Sequence, residues 1–236
     1  MELTREHWTK KDIEEYQHYL TSFSKGKEKS LWEQRIVNTN MPCIAVPSDV
    51  VKNIAKQINK GNFIEFLELW PWDNFTNTTI IGYQICQIKD WDIFKKYLFK
   101  YANLADNWAT CDTLKFKIKE DNKENFFQLS QEYIKSEKPF VRRIGIIILF
   151  KLVSDNQYID QILKTLNSFE NETKYYVNMV NAWLFCECFI KQRNKTLEFL
   201  KDNKMNKFTI NKGISKCRDS FRVSSADKEF LLQFRK

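Results

Sequence analysis

The chain has 236 residues, with 38 Lys and Arg against 30 Asp and Glu, and a formal net charge of +8. It contains only 5 Gly and 4 Pro, and long stretches carry apolar residues at helical spacing, which predicts an all-α protein rather than a β-rich one. The sequence contains no run of about 18 apolar residues, which is the length that a membrane span requires, so we expect none. The N-terminal segment MELTREHWTKKDIEEYQHYL is charged and lacks an apolar signal region, so we expect a cytoplasmic protein.

Cysteine and histidine limit the possible chemistry. The 6 Cys form no Cys-x-x-Cys pair and lie far in the sequence from His7 and His18, so we expect free thiols, no metal and no cofactor. Two histidines also argue against His-dependent acid–base or nucleophilic catalysis, and no glycine-rich phosphate loop is present. Any catalysis must therefore use carboxylates, aromatic rings and basic groups.

Helices are predicted in order along the chain. A Pro-bounded segment, MPCIAVPSDVVKNIAKQI, leads into a helix that begins at Ser48 or Asp49. Five apolar helices then begin, at intervals of 32, 33, 34 and 36 residues, near Asn74, Asp106, Pro139, Thr173 and Thr209. Second helices such as WDIFKKYLFKYA and NFFQLSQEYIKS lie between them.

Two helices per repeat of about 35 to 40 residues are typical of an α-solenoid of HEAT-like helix pairs. The tetratricopeptide consensus is missing, which favours the HEAT-like class. No segment has the composition of a flexible linker, so we predict a single domain over residues 1–236.

The helix predicted for DNWATCDTLKFKI places an indole beside a carboxylate. Trp108 and Asp112 are four residues apart and therefore share one face. The same stripe continues with Lys115 and Lys119, while Cys111, Leu114 and Ile118 form a separate apolar stripe that would face a core. We also expect Asp112 to lie near the N-terminus of this helix, where the helix dipole favours its ionised form.

Unusual residues recur once per predicted repeat. Arg143 lies 35 residues after Trp108, in the nearly apolar segment FVRRIGIIILFKL, and Trp183 follows 40 residues later. A buried guanidinium needs a partner, for which Asp112 of the preceding repeat is suited. The alternatives are that Arg142 or Arg143 extends to solvent from a helix end, and that Trp183 packs in the core between repeats.

The C-terminal 36 residues carry most of the excess positive charge. Residues 201–236 hold ten Lys or Arg against four acids. On the helix predicted for TINKGISKCRDSF, the apolar stripe comprises Ile210, Ile214, Cys217 and Phe221, and the basic residues that project elsewhere are Lys212, Lys216, Arg218 and Arg222. These basic residues predict phosphate contacts with a nucleic acid, although a solvated basic face is the alternative.

Four segments together resemble one known family. DNWATCDTL, VRRIGI, YYVNMVNAWLF and FTINKGISKCRDSFRVS resemble, in order and spacing over about residues 40–235, the DNA alkylation repair enzyme family of AlkD-type HEAT-like-repeat DNA glycosylases. The resemblance implies an α-solenoid with a concave basic cleft. It also implies catalytic roles for Trp108, Asp112 and Arg143 and a DNA contact for Trp183. In addition, we expect Lys115 to contact DNA.

The function implied by this resemblance is a monofunctional glycosylase that excises N3- and N7-alkylated purines from double-stranded DNA. We expect the protein to be a monomer and to have no membrane partner. Asp112 would oppose the charge of an oxocarbenium-like sugar, while Trp108 and Trp183 present π faces and Arg143 contacts phosphate. Two alternatives remain, namely a non-catalytic HEAT-repeat protein that binds damaged or branched DNA, and a protein-binding HEAT scaffold.

Overall fold

A computed structural model describes all 236 residues, of which 64% lie in helices and none in a strand. The all-α prediction is therefore confirmed. No helix combines the length and apolar character needed to cross a membrane. The helices are α1 (Lys10–Thr21), α2 (Lys27–Val37), α3 (Ser48–Ile58), α4 (Phe63–Leu69), α5 (Phe75–Ile85), α6 (Trp91–Leu104), α7 (Trp108–Asp112), α8 (Lys123–Ile134), α9 (Pro139–Leu149), α10 (Ile159–Asn167), α11 (Tyr175–Lys191), α12 (Arg193–Leu200), α13 (Lys207–Asp219) and α14 (Ser225–Phe230), followed by a short 3₁₀ helix (Leu231–Phe234).

The chain divides into two compact units, Met1–Lys117 and Ile118–Lys236. In the first unit, α5 is central and packs against α3, α4, α6 and α7. Aromatic rings fill part of its core, since Phe66 meets the edge of Trp8 at a centroid distance of 5.0 Å and that of Tyr16 at 5.3 Å. Two compact units can belong to one domain or form two domains that fold independently. The prediction of a single domain over residues 1–236 therefore stays a prediction.

In the second unit, α11 is the central helix. It packs against α9, α10, α12 and α13, and α8 packs against α9. The core is aliphatic at its centre, where Ile146, Leu149, Val180 and Leu184 are all inaccessible to solvent. Successive long helices with shorter partners are the arrangement that the repeat spacing predicts for each unit.

Helix starts follow the capping residues of the sequence. α3 begins at Ser48 as predicted, the N-cap of α5 is Asn74, and Pro139 occupies the first turn of α9, where its missing N–H costs nothing. The start predicted near Thr209 is two residues late, because Asn206 caps α13 by accepting a hydrogen bond from the Thr209 backbone N–H at 2.9 Å.

The segment DNWATCDTLKFKI differs most from its prediction. Its helix, α7, ends at Asp112, and residues 114–119 lie outside any helix. The prediction that Lys115 and Lys119 continue the helical stripe of Trp108 is therefore wrong. The physical reason is visible in the sequence, since apolar and basic residues alternate strictly here, and Leu114 and Phe116 are buried. Such alternation is the pattern of an extended chain with one buried face.

The contact between α11 and α13 leaves no room for a side chain at Gly213. A methyl group there would lie 2.5 Å from Cδ1 of the buried Phe185 ring. Ala is better than Gly within a helix by about 1 kcal/mol, whereas overpacking costs about 1–3 kcal/mol. We therefore expect Gly213→Ala to lower the free energy of unfolding in urea by about 1 kcal/mol. Lys212→Ala, on the exposed side of α13, is the control and should change it by less than about 0.5 kcal/mol. An unchanged or higher stability of Gly213→Ala would contradict the close contact.

Candidate functional site

A one-turn helix carries the candidate catalytic residues of the first unit. α7 has only 5 residues, too few for its own hydrogen bonds to stabilise it in water. Its N-cap, Asn107, is fully buried, and its Oδ1 accepts a hydrogen bond from the Thr110 N–H at 2.8 Å while its Nδ2 donates to Thr110 Oγ1 at 2.9 Å. Tyr101 donates its hydroxyl to the Thr110 carbonyl at 2.9 Å, and Thr78 Oγ1 lies 3.0 Å from Thr110 Oγ1. These buried hydrogen bonds therefore stabilise α7, which has too few turns to be stable by itself.

The end of α2 fixes the position of α7 from the other side. The Asp106 carboxylate accepts hydrogen bonds from the Thr39 hydroxyl at 2.7 Å and from the Asn40 N–H at 3.1 Å. The indole Nε1 of Trp108 donates to the Ile36 carbonyl at 3.3 Å. The Trp108 side chain is half-buried, so one part of the ring is held by α2 while another part faces solvent.

Asp112 is the last residue of α7 and is half-buried. Its spacing of four residues from Trp108 keeps both side chains on one face of the turn. The prediction that the helix dipole favours the Asp112 carboxylate is wrong, because the carboxyl end of a helix presents partial negative charge. The exposed Lys115 donates from Nζ to the Asp112 backbone carbonyl at 3.1 Å, which compensates that end of the helix.

In the second unit, Arg143 is buried near the start of α9. Only 5% of its surface is exposed, and its Nη1 donates to the Tyr176 carbonyl at 2.6 Å. The alternative that Arg143 extends to solvent is therefore wrong. The neighbouring Arg142 also turns inward, with Nη1 donating to the Ser136 carbonyl at 2.8 Å and Nε 2.8 Å from the Glu172 carboxylate. Arg142 thus joins the ends of α8 and α11, a structural role.

Trp183 is the exposed residue of an otherwise buried stretch of α11. It has 39% of its surface exposed, while Ala182 and Leu184 on either side are fully buried. One edge of the indole packs on Phe150 at a centroid distance of 4.6 Å. The alternative that Trp183 is a core residue is therefore wrong, and its outer face is available to a ligand.

A buried carboxylate lies one turn beyond Trp183 on the same helix. Glu187 is 8% exposed and pairs in a two-pronged arrangement with the Arg222 guanidinium, whose Nη1 lies 3.2 Å from Oε2 and whose Nη2 contacts Oε1. This hydrogen-bonded pair raises the pKa of Arg222 above its ordinary value. Lys191, four residues after Glu187 in the sequence, lies 4.0 Å from the same carboxylate, and an acid inside the apolar run LFCECFI requires such partners.

The predicted apolar stripe of the basic tail is correct for three residues and wrong for the fourth. Ile210, Ile214 and Cys217 are fully buried. α13 ends at Asp219, however, and Phe221 lies beyond it with 95% of its surface exposed. The helical period therefore does not extend to Phe221.

The basic residues of the tail differ in their partners. Lys212 is exposed and Lys216 is half-buried, and neither forms an ion pair. Arg218 lies 3.7 Å from Glu229, with both side chains exposed, so that pair is weak. Among the four basic residues predicted to contact phosphate, Lys212 and Lys216 are thus the two with no internal anion to neutralise them.

Thiols and metal-binding side chains offer no second site. No three His, Cys, Asp or Glu side chains are grouped so as to hold a metal ion. All six cysteines are free, and five are buried. Burial raises the pKa of Cys86 to about 12 and that of Cys188 well above its ordinary value, so neither forms a nucleophilic thiolate at neutral pH.

The anchoring of Trp108 by α2 is testable through stability alone. Trp108→Phe removes the hydrogen bond to the Ile36 carbonyl, and we expect the free energy of unfolding in urea to fall by about 1 kcal/mol. Trp32→Phe is the matched control, since the Trp32 indole is 53% exposed on α2, and it should change stability by less than about 0.5 kcal/mol. Equal stabilities of the two variants would contradict the anchoring.

Comparison with known proteins gives one match. The model of a family described as DNA alkylation repair enzyme matches residues 4–217, which is most of the chain. The match includes Trp108, Asp112, Arg143 and Trp183, and it ends within α13. No curated protein matches the chain significantly.

Proposed function

This chain belongs to the DNA alkylation repair enzyme family, and we propose that it is a monofunctional DNA glycosylase. Its role is in the repair of alkylated DNA. The proposed substrates are positively charged N3- and N7-alkylated purines, such as 3-methyladenine and 7-methylguanine, in duplex DNA. Hydrolysis of the N-glycosidic bond releases the base and leaves an abasic site.

The observation that carries this proposal is the fixed pair of Trp108 and Asp112. An indole and a carboxylate share one face of a single helical turn, and hydrogen bonds of Asp106, Asn107 and Trp108 hold the start of that turn. A catalytic group on such a support needs little reorganisation when charge develops on the substrate. A structural role alone does not require a half-exposed indole beside an acid.

The chemistry suits a protein that is poor in histidine. An N3- or N7-alkylated purine already carries a positive charge, so it departs with the bonding electrons of the glycosidic bond without being protonated. Water adds to the anomeric carbon and gives up a proton. In the proposed mechanism, the Asp112 carboxylate opposes the positive charge of the oxocarbenium-like sugar and orients this water. His7 and His18 are both exposed on the N-terminal segment and take no part.

The remaining candidate residues supply binding in this proposal. Trp108 and Trp183 present their exposed ring faces to the sugar and the cationic nucleotide. The Tyr176 carbonyl orients the Arg143 guanidinium, which contacts a phosphate of the DNA in this proposal. The proposed phosphate contacts along the backbone are Lys115, Lys212, Lys216, Arg218 and Arg222.

Asp112→Asn tests the proposed catalytic role. The substitution keeps the shape of the side chain and removes its charge, so we expect single-turnover excision of 7-methylguanine from a duplex oligonucleotide to slow by about 100- to 1,000-fold. Binding of undamaged duplex should stay within about twofold of wild type, because the loss concerns the transition state.

The matched control is Asp92→Asn, which removes an exposed carboxylate of the same unit at the start of α6 and should excise at the wild-type rate. A wild-type rate for Asp112→Asn would show that this carboxylate is not catalytic. Tight binding of duplex by the wild-type protein without any base release would support the non-catalytic DNA-binding alternative.

Trp183→Ala separates a binding role from a packing role. Its exposed ring face suggests a cost in stability of about 1 kcal/mol, below the 3–5 kcal/mol typical of a buried tryptophan. Loss of a cation–π contact should reduce excision at sub-saturating substrate by about tenfold. Phe230→Ala on α14, which removes another exposed ring with one aromatic neighbour, should leave excision unchanged. Equal excision by both variants would remove Trp183 from the binding surface.

A further inference from the structure

The first unit contains a basic pocket of which the proposed mechanism uses only Lys115. It has a volume of about 480 Å³ and is open to solvent. The pocket lies between α3, α5 and the segment that follows α7. Its polar lining comprises Lys52, Lys56, Asn59, Tyr83, Gln87 and Lys115. Three ammonium groups and no carboxylate line this pocket, which is called the lysine pocket below.

The charges of the lysine pocket have no compensation within the protein. Lys52 and Lys56 are exposed, lie one turn apart on the same face of α3 and form no ion pair. Like charges at this spacing destabilise a helix slightly. Lys115 also forms no ion pair, since its one hydrogen bond goes to a backbone carbonyl. An arrangement that costs stability and fills no internal need is expected where an external anion binds.

The neutral side chains of the pocket add hydrogen-bond donors. The Gln87 side-chain oxygen accepts a hydrogen bond from Lys117 Nζ, which brings a further positive charge to the pocket edge. The Gln87 NH₂ group donates one of its two hydrogens to the Tyr83 carbonyl at 3.4 Å and retains the other. Burial raises the pKa of the Tyr83 hydroxyl, so it remains protonated and able to donate. A phosphate group, whose free oxygens only accept hydrogen bonds, is complementary to this set.

The pocket is adjacent to the residues proposed for catalysis. Lys115 Nζ lies 3.1 Å from the backbone carbonyl of Asp112, within the same unit. A phosphate held by Lys115 is therefore a few ångströms from the end of α7. The occupant that this location favours is a phosphodiester of the DNA strand being repaired rather than a free anion.

We propose that the lysine pocket binds a backbone phosphate of duplex DNA and thereby sets the register of the strand against Trp108 and Asp112. The inference rests on the proposed function, because it takes DNA as the substrate. Lys52 and Lys56 are in this view positioning residues, since they act on the backbone and not on the reacting bond. Lys52 and Lys56 lie within the unit that carries α7.

The first test compares the salt dependence of DNA binding. Lys52→Gln/Lys56→Gln removes two charges and keeps good helix formers, and Lys10→Gln/Lys11→Gln removes two exposed charges from α1 of the same unit. Each phosphate contact contributes about 0.9 to the slope of log affinity against log salt. We expect the pocket variant to reduce the slope by about 1–2 on undamaged duplex, and the α1 variant to leave it near that of wild type.

The second test locates the phosphate. A neutral methylphosphonate is placed at one linkage at a time around a 7-methylguanine in the duplex. For the wild-type protein, affinity should drop by about tenfold at one or two linkages near the lesion. The same substitutions should have a much smaller effect on the Lys52→Gln/Lys56→Gln variant, because two of the three lysines that contact those linkages are gone. Thermal unfolding should show that both double variants remain as stable as wild type.

The outcomes separate this inference from the proposed function. If the slopes of the two double variants agree, the pocket does not bind DNA, even where wild-type excision is intact. If inorganic phosphate raises the wild-type melting temperature but not that of the pocket variant, while the DNA slopes agree, the pocket serves a free anion and the inference is wrong. Loss of slope in a protein that releases no base supports the pocket and contradicts the glycosylase proposal. A wild-type protein that binds no DNA contradicts both.

Discussion

The hydrogen bonds of Asn107 are the interaction on which the proposed site depends. A helix of 5 residues cannot hold Trp108 and Asp112 in a fixed relation by itself. Asn107 is fully buried and uses both ends of its amide, one on the backbone and one on the hydroxyl of Thr110. Because unpaired polar groups in such a place cost free energy, the turn has one favourable geometry. The rigidity that a catalytic carboxylate needs thus comes from polar contacts rather than from helix length.

The second unit solves the equivalent problem with apolar packing. α11 is buried over most of its length, so the few side chains that reach its surface are held by a rigid helix. Trp183 lies on this rigid helix, and the buried charges of the unit have partners, as Glu187 has in Arg222 and Arg143 in the Tyr176 carbonyl. Polar groups in an apolar setting are stable only when they are paired, and pairing also fixes their direction.

The sequence predicts the parts of this structure that depend on period and capping. The all-α class, the starts of the helices at Asn74 and Pro139 and the buried face of α13 follow from local patterns. It fails where a tertiary contact decides. α7 is short because the chain after it alternates, and the hydrogen-bond partners of Trp108 and Glu187 lie 72 and 35 residues away. No local pattern specifies such distant partners, although an acid inside an apolar run indicates that one exists.

The central claim is that this protein breaks an N-glycosidic bond, and base release measures that directly. Methylated duplex DNA is incubated with the wild-type protein, the freed purines are quantified by mass spectrometry, and abasic sites and strand breaks are counted in the same sample. We expect a monofunctional glycosylase to release 7-methylguanine and 3-methyladenine in amounts equal to the abasic sites, without enzymatic strand breaks. Methyl groups lost from the DNA without base release, or no change in the DNA at all, would contradict it.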